Sequence, residues 1–213
     1  MPIIPPPWSL TGNGLVLIYH FPEAFVRNHG FLAGYQRLTY KGWLGAVILA
    51  DYDTSGVGPY RELLFMPGLF GFGRRRSFSI SKIYVSTQDS VESGIANWGI
   101  PKELADFEIV HTPDGSTLYR VSRGRHLFFQ LRVRSWGPEF PVTTKLIPRL
   151  GVIQQRDRDL LFTHLTASGK ARLASRKSML IDPVYFPDFS QIRPLAILSI
   201  QGFSMTFPVP ELV

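Results

Sequence analysis

The chain has 213 residues and no cysteine, which excludes disulfide bonds, thiolate nucleophiles and zinc–thiolate sites. Its hydrophobic content of 45% and aromatic content of 13% predict a substantial core, and we expect residues 1–213 to form one domain. The net charge of +7 is not accompanied by a recognisable nucleic-acid-binding module, so we predict no nucleic-acid partner. We interpret the excess arginines, including those at residues 74–76, as a solvated basic face or a subunit interface. An anionic substrate is compatible with the same charge.

The sequence carries no membrane or secretion signal that we recognise. Residues 1–7 lack a basic segment and contain too many prolines for a signal peptide. The apolar run at residues 44–50 is too short to span a bilayer. We therefore expect a soluble, cytoplasmic protein without a membrane partner.

The first half of the chain predicts short strands joined by turns. Residues 15–19 are an apolar run of strand length that follows a predicted turn at residues 12–14. The later elements of this half are a buried strand, a second strand, a loop rich in Gly and Phe, and a third strand, at residues 44–50, 61–65, 67–73 and 78–85.

The second half begins with a predicted helix. Residues 87–90 offer N-cap side chains, and the helix is expected over residues 89–96. The remaining elements are a hairpin, an alternating half-buried strand, a second hairpin around residues 168–170 and a final strand interrupted at Gly202, at residues 107–121, 127–133, 160–174 and 194–207. The pattern predicts a mainly β (α+β) fold, an antiparallel sheet wrapped as a barrel or cone with one or two short helices.

One lysine lies in an unusual setting. Residues 97–104 read Asn-Trp-Gly-Ile-Pro-Lys-Glu-Leu. Pro101 has a fixed φ and favours an extended conformation at Ile100, so Lys102 follows a stiff stretch of backbone. Apolar neighbours such as Trp98 lower the pKa of an amine, and only a neutral amine attacks a carbonyl carbon. Lys102 is thus a candidate nucleophile, and a surface lysine at a turn is the alternative.

Several segments carry a resemblance to a known family. Residues 51–62, Asp-Tyr-Asp-Thr-Ser-Gly-Val-Gly-Pro-Tyr-Arg-Glu, resemble the Asp-Thr-Ser-Gly-x-Gly-x-Tyr-x-Glu segment of the acetoacetate decarboxylase family. About forty residues on, residues 94–104 resemble its Gly-rich segment that leads into Tyr-Pro-Lys-Lys-Leu. Residues 145–148 resemble its Lys-Ile-Ile-Pro segment, and the opening prolines and closing strand also fit. The chain resembles a divergent member of this family.

The resemblance implies a chemistry for Lys102. Its amine would condense with a keto group, and the resulting protonated Schiff base would act as an electron sink for decarboxylation or for aldol or dehydration chemistry. Glu62 matches the glutamate of the first motif and would orient the substrate or move protons. We also expect substrate contacts from Tyr60, Trp98, Ile100 and Pro101. The family further implies an interior pocket, a keto-acid or other small carbonyl substrate, no cofactor and a homo-oligomer.

Other interpretations of the same residues stay open. Glu62 at a strand end is also compatible with a structural bond to backbone, and Asp51 and Asp53 are expected to hold a turn through Asx bonds. The five histidines show no metal-ligand spacing, so no metal site is predicted.

Three positions depart from the family pattern. Glu103 replaces its second lysine, residues 94–96 (Gly-Ile-Ala) replace Gly-Arg-Glu, and residues 12–14 stand where the family has an active-site arginine. The alternative function is therefore a pocket protein that binds a hydrophobic small molecule without turnover. Because adjacent residues of an extended chain point to opposite faces, we predict that Glu103 bonds to backbone or an arginine outside the pocket.

Overall fold

The computed structural model describes residues 2–146 and 151–213, and in this part of the chain β-structure dominates. The strands are β1 (Trp8–His20), β2 (Tyr40–Gly42), β3 (Leu44–Thr54), β4 (Tyr60–Met66), β5 (Leu69–Phe72), β6 (Arg75–Phe78), β7 (Lys82–Val85), β8 (Lys102–Leu104), β9 (Asp106–His111), β10 (Ser116–Arg123), β11 (His126–Thr143), β12 (Gly151–Arg156), β13 (Asp159–His164), β14 (Thr166–Ile181), β15 (Ala196–Phe207) and β16 (Glu211–Leu212). The helices are α1 (Glu23–His29), α2 (Gly34–Arg37) and α3 (Gln88–Trp98), with a 3₁₀ turn at Thr144–Leu146.

The described strands form two sheets. The larger has ten strands in the order β8-β7-β4-β3-β1-β15-β14-β11-β10-β9, and the smaller has the order β16-β13-β12-β6-β5-β2. Neighbours in the larger sheet pair antiparallel except β7 and β8, which are parallel. This sheet curls into a half-barrel, so the predicted mainly β fold with a wrapped sheet and few short helices is confirmed. No described helix combines the length and the apolar character needed to cross a membrane.

The predicted turn at residues 12–14 is wrong, because these residues lie inside β1. The pairing register of β1 shifts between Gly12 and Gly14 against β15, which marks a β-bulge. A Cβ atom at Gly12 would lie 2.1 Å from the carbonyl oxygen of Asp51, so the backbones approach too closely for any other residue. The glycines mark a close approach of strands in this case, a feature that local sequence does not distinguish from a turn.

The predicted strand at residues 78–85 is split between the two sheets. β6 belongs to the smaller sheet and β7 to the larger, and the chain crosses between them at residues 79–81. Two buried side-chain amides stabilise this crossover. Nε2 of Gln36 and Nε2 of Gln154 each donate a hydrogen bond of 3.0 Å to the carbonyl oxygen of Ile80. The predicted loop at residues 67–73 likewise contains a strand, β5.

The second predicted hairpin is also wrong, since residues 168–170 lie within β14 at a register shift against β15. The hairpin of β9 and β10 and the helix α3 are confirmed. The predicted interruption of the final strand is not seen, because β15 runs through Gly202, which has a φ of 55° and lies where the pairing with β1 and β14 shifts register. Of the family-like segment 145–148, residues 147 and 148 lie outside the described residues.

The larger sheet separates two apolar clusters. Alternate residues of β4 point to opposite faces, so that Leu63 and Phe65 enter the larger cluster and Tyr60 and Leu64 enter the smaller. The smaller cluster also contains Trp98 of α3, which packs over this face of the sheet. It is on this side that the candidate site is found.

Candidate active site

Strand register brings Lys102 and Glu62 to the same face. Lys102 begins β8 and pairs with Ile83 of β7, and Ile83 in turn pairs with Leu64 of β4. Glu62 lies two residues before Leu64 and pairs with Val85. Paired residues on neighbouring strands share a face of the sheet, as do residues two apart on one strand. The side chains of Lys102 and Glu62 therefore point to the same side, from two strands that only β7 separates.

In the part of the chain that the structure describes, Glu62, Ser90 and Tyr60 contact the Lys102 amine. Its Nζ lies 3.3 Å from Oε2 of Glu62 and donates hydrogen bonds to Oγ of Ser90 at 2.9 Å and to the hydroxyl of Tyr60 at 3.4 Å. It also lies 4.9 Å from the centroid of the Tyr60 ring. The side chains of Lys102 and Glu62 are only 4% and 7% exposed, so this ion pair is withdrawn from bulk water.

Helix α3 supplies a face of small residues to this site. The hydroxyl of Thr87 caps its N-terminus by accepting from the backbone N–H of Ser90 at 3.4 Å. Ser90 and Gly94 are four residues apart and face the lysine together. A Cβ atom at Gly94 would lie 2.6 Å from Cδ of Lys102, so the lysine side chain lies against the bare helix backbone. The space for Lys102 therefore depends on a glycine at this position.

Burial makes the amine a better nucleophile than an ordinary lysine. It lowers the pKa of Lys102 below its usual value of 10.5, and the charge and hydrogen bond of Glu62 offset only part of this effect. A larger fraction of this amine is therefore neutral at a given pH than in a solvated lysine. This is the protonation state that attacks a carbonyl carbon.

Two buried tyrosines complete the polar side of the site. The hydroxyl of Tyr52 donates to Oε1 of Glu62 at 3.3 Å, and the rings of Tyr52 and Tyr60 lie 4.6 Å apart. Burial raises the pKa of both phenols well above 10.0, and the charge of Glu62 raises them further. Both phenols therefore keep their protons at neutral pH. Glu62 contacts Lys102 and Tyr52 through side-chain atoms, in contrast to the interpretation in which it bonds to backbone.

Glu103 points away from Lys102, as predicted. Its carboxylate pairs with Nζ of Lys82 and lies 3.6 Å from a guanidinium nitrogen of Arg123. The prediction of a position outside the site is thus confirmed, with Lys82 as a partner that was not foreseen. The carboxylate of Asp51 forms an ion pair with Arg61 on the neighbouring strand at 3.0 Å, where an Asx bond that holds a turn was predicted.

The remaining predicted substrate contacts are distributed around the site. Trp98 is buried against Trp8 at 4.9 Å between ring centroids, and its Nε1 donates to the carbonyl oxygen of Pro208 at 2.8 Å. Ile100 is buried in the same cluster. Pro101 is exposed and lines a separate surface cavity of about 510 Å³ together with Glu103. The structure brings Lys102, Glu62 and Tyr60 together but directs Pro101 elsewhere; substrate contacts from these residues stay predictions.

Comparisons with known proteins agree at the level of the fold. No family model matches the chain, and no curated protein matches it in sequence. Among solved structures, acetoacetate decarboxylase from Legionella pneumophila matches with a TM-score of 0.78 over 98% of this chain and 88% of that chain, at 13% identity. The chain has an acetoacetate decarboxylase-like fold.

Two further enzymes share this fold. The enduracididine biosynthesis enzyme MppR matches with a TM-score of 0.69 at 14% identity, over 98% of this chain and 88% of its own. An acetoacetate decarboxylase-like enzyme from Sphingomonas wittichii RW1 matches with a TM-score of 0.65 at 12% identity, over 97% and 92%. Another structure of MppR contains pyruvate. The same fold therefore supports enzymes with different functions.

Sequence reasoning missed three residues of the site, Tyr52, Ser90 and Gly94. A signal for two of them was present in α3, where small and polar residues recur at helical spacing in Ser90, Ser93, Gly94 and Asn97. All four are buried. A polar, small-residue helix face that is buried indicates that something other than an apolar core packs against it.

The two glutamates near Lys102 are expected to affect its pKa differently. The pH dependence of Lys102 acylation, followed by peptide mass spectrometry, should give a midpoint below 10.5 in the wild type. Glu62→Gln should lower the midpoint further, because the charge of Glu62 raises the pKa of Lys102. Glu103→Gln is the matched control and should leave the midpoint unchanged. A wild-type midpoint at or above 10.5 would contradict the buried-amine interpretation.

Proposed function

We propose that the protein is a lysine Schiff-base enzyme that acts on a keto acid or a related carbonyl compound. The observation that carries the proposal is the buried Lys102 amine, whose pKa is lowered and which contacts Glu62 at 3.3 Å. The shared fold with decarboxylase and MppR-type enzymes supports it. A small-molecule substrate and a homo-oligomeric assembly are part of the same proposal.

The chemistry begins at the lysine. The neutral amine of Lys102 adds to the substrate carbonyl carbon, and the adduct takes up one proton as water leaves, which gives a protonated iminium. Ser90 accepts a hydrogen bond from the amine and orients it, and Glu62 lies where its charge can balance the positive iminium. Tyr52, which donates to the other oxygen of Glu62, holds that carboxylate in place.

The iminium then draws electrons from a neighbouring bond. In a β-keto acid, the bond to the carboxylate breaks, carbon dioxide leaves and an enamine remains. In other carbonyl compounds, a proton is removed from the α-carbon, and the enamine that forms can add to an aldehyde and later lose water. Both routes need the Lys102 iminium, and Glu62, the carboxylate in contact with the amine, is the base that we propose to move the protons.

One observation favours an alternative function, the binding of a hydrophobic small molecule without turnover. The Glu62 carboxylate stabilises the charged form of Lys102, which opposes nucleophilic attack, and the site adjoins an apolar cluster. A protein that binds a hydrophobic small molecule without turnover would show the same contacts. Covalent trapping distinguishes the two functions because only the enzyme forms an iminium.

Borohydride treatment with a panel of keto acids tests the proposal. We expect the reduced substrate to add its mass to the peptide that contains Lys102. The Lys102→Arg variant should show no adduct. Lys82→Arg is the matched control, because Lys82 is also an ion-paired lysine, partly buried on the adjacent strand. It should retain the adduct. Adducts that persist in the Lys102→Arg protein would rule out the assignment.

A further inference from the structure

The charges around Lys102 favour one class of substrate. We infer that the site selects neutral carbonyl compounds, namely aldehydes, ketones and keto esters, over keto acids. The inference rests on the proposed Schiff-base function and narrows its substrate. It follows from three features: the negative charge of Glu62 beside the amine, the orientation of Arg61 and Lys82 away from the site, and the apolar side chains around Tyr52.

The charged group that contacts the Lys102 amine is negative. Among the described residues, the ion pair of Lys102 is with Glu62, and its other polar partners are the hydroxyls of Ser90 and Tyr60. Once the iminium forms, Glu62 balances its single positive charge. A substrate carboxylate bound beside it would add a second negative charge in a buried setting, where like charges repel strongly.

The cations nearest along the strands point to the other face of the sheet. Arg61 precedes Glu62 but pairs with Asp51 at 3.0 Å and donates to the carbonyl oxygen of Phe107 at 3.2 Å. Lys82 precedes Ile83 but pairs with Glu103. Because side chains alternate between the two faces of a strand, Arg61 and Lys82 point away from Lys102, and neither is placed to bind a substrate carboxylate.

The region near the bulge in β1 is filled by an aromatic ring. The ring of Phe203 lies 5.6 Å from that of Tyr52 in an edge-on arrangement, and its Cε1 would be 3.6 Å from a Cβ atom at Gly14. Ile100, Val85 and Tyr52 belong to the same apolar cluster. The side chains on this side of the site are therefore mostly apolar, a setting that disfavours a buried carboxylate.

A neutral substrate also changes the step that follows iminium formation. With no carboxylate to lose, the enamine forms when the Glu62 carboxylate takes a proton from the α-carbon, and the C–H electron pair moves into the enamine. The enamine carbon can then bond to a second aldehyde, whose oxygen receives the proton from Glu62. Water hydrolyses the new iminium and releases the Lys102 amine. The inferred reaction is therefore of the aldol type.

The test compares 4-oxopentanoate with its methyl ester. The two ketones have similar intrinsic reactivity because the carboxyl group is two carbons away, and trapping on Nα-acetyl-lysine corrects for any remaining difference. With borohydride, we expect the ester to label Lys102 about 10-fold faster than the acid, or more. Glu62→Gln should reduce this ratio towards unity. Arg61→Gln, a neighbouring change on the opposite face, should leave it unaltered.

The outcomes separate this inference from the proposed function. Labelling of Lys102 by the acid at an equal or greater rate overturns the neutral-substrate preference and leaves the Schiff-base function standing. A ratio that persists in Glu62→Gln overturns the role given to Glu62. Absence of any adduct, with these probes and with the keto-acid panel, overturns the proposed function itself. If Glu62→Gln does not fold, the wild-type ratio and the Arg61→Gln control still decide the preference.

Discussion

Replacement of Lys102 by methionine is expected to abolish covalent trapping and to lower the free energy of unfolding by about 3–5 kcal/mol, the cost typical of breaking a buried ion pair. The methionine leaves the Glu62 carboxylate, whose side chain is 7% exposed, without its counterion. Urea denaturation followed by tryptophan fluorescence at neutral pH measures the change. The chain contains four tryptophans, and Trp98 lies in the cluster beside the site.

The double variant Lys102→Met/Glu62→Leu separates the two effects. Because it removes both charges, it should recover most of the lost stability, as buried ion pairs replaced by apolar residues commonly do. Covalent trapping should remain absent, since no amine is present. A single Lys102→Met variant that is as stable as the wild type would show that Glu62 does not depend on the lysine charge.

The Gly94→Ala variant is expected to lower the rate of covalent trapping about 10-fold or more, equivalent to at least about 1.4 kcal/mol in the barrier. The added methyl group would lie 2.6 Å from Cδ of Lys102, so the lysine side chain must shift from the position in which it contacts Glu62 and Ser90. Alanine favours a helix interior over glycine by about 1 kcal/mol, which offsets part of the cost of weakening the Lys102–Glu62 contact, so the free energy of unfolding should fall by less than in Lys102→Met. Borohydride trapping and thermal unfolding measure the two quantities.

The Ile95→Ala variant is the control for this change. Ile95 is the next residue of α3 and is 45% exposed, so its truncation alters the same helix without touching the lysine. Its trapping rate should equal that of the wild type. Unchanged trapping in Gly94→Ala would mean that Lys102 reacts from a different position.

Local features of the sequence predicted much of the secondary structure. The cap at Thr87 and the small residues of α3 are encoded within a few positions, and the helix was predicted within two residues at each end. The hairpin of β9 and β10 is similarly local, because its turn and both strands are adjacent in the chain. Where the signal depended on distant contacts, prediction failed. The glycines at residues 12–14 accommodate β3, and residues 79–81 cross between sheets with support from Gln36 and Gln154.

Some features of the candidate site were likewise predictable from local sequence, and others depended on tertiary contacts. The sequence alone determined that Lys102 lies in a stiff, apolar setting, that Glu62 lies in a family-like motif, and that Glu103 points to the opposite face from Lys102, because strand alternation is a local property. Only the tertiary structure decided that Ser90 and Gly94 lie against the Lys102 side chain and that Tyr52 donates to Glu62. The physical reason is that these contacts join α3, β3, β4 and β8 through strand pairing and helix packing. Their register is set by the whole sheet and by the cluster beneath α3, not by any single segment.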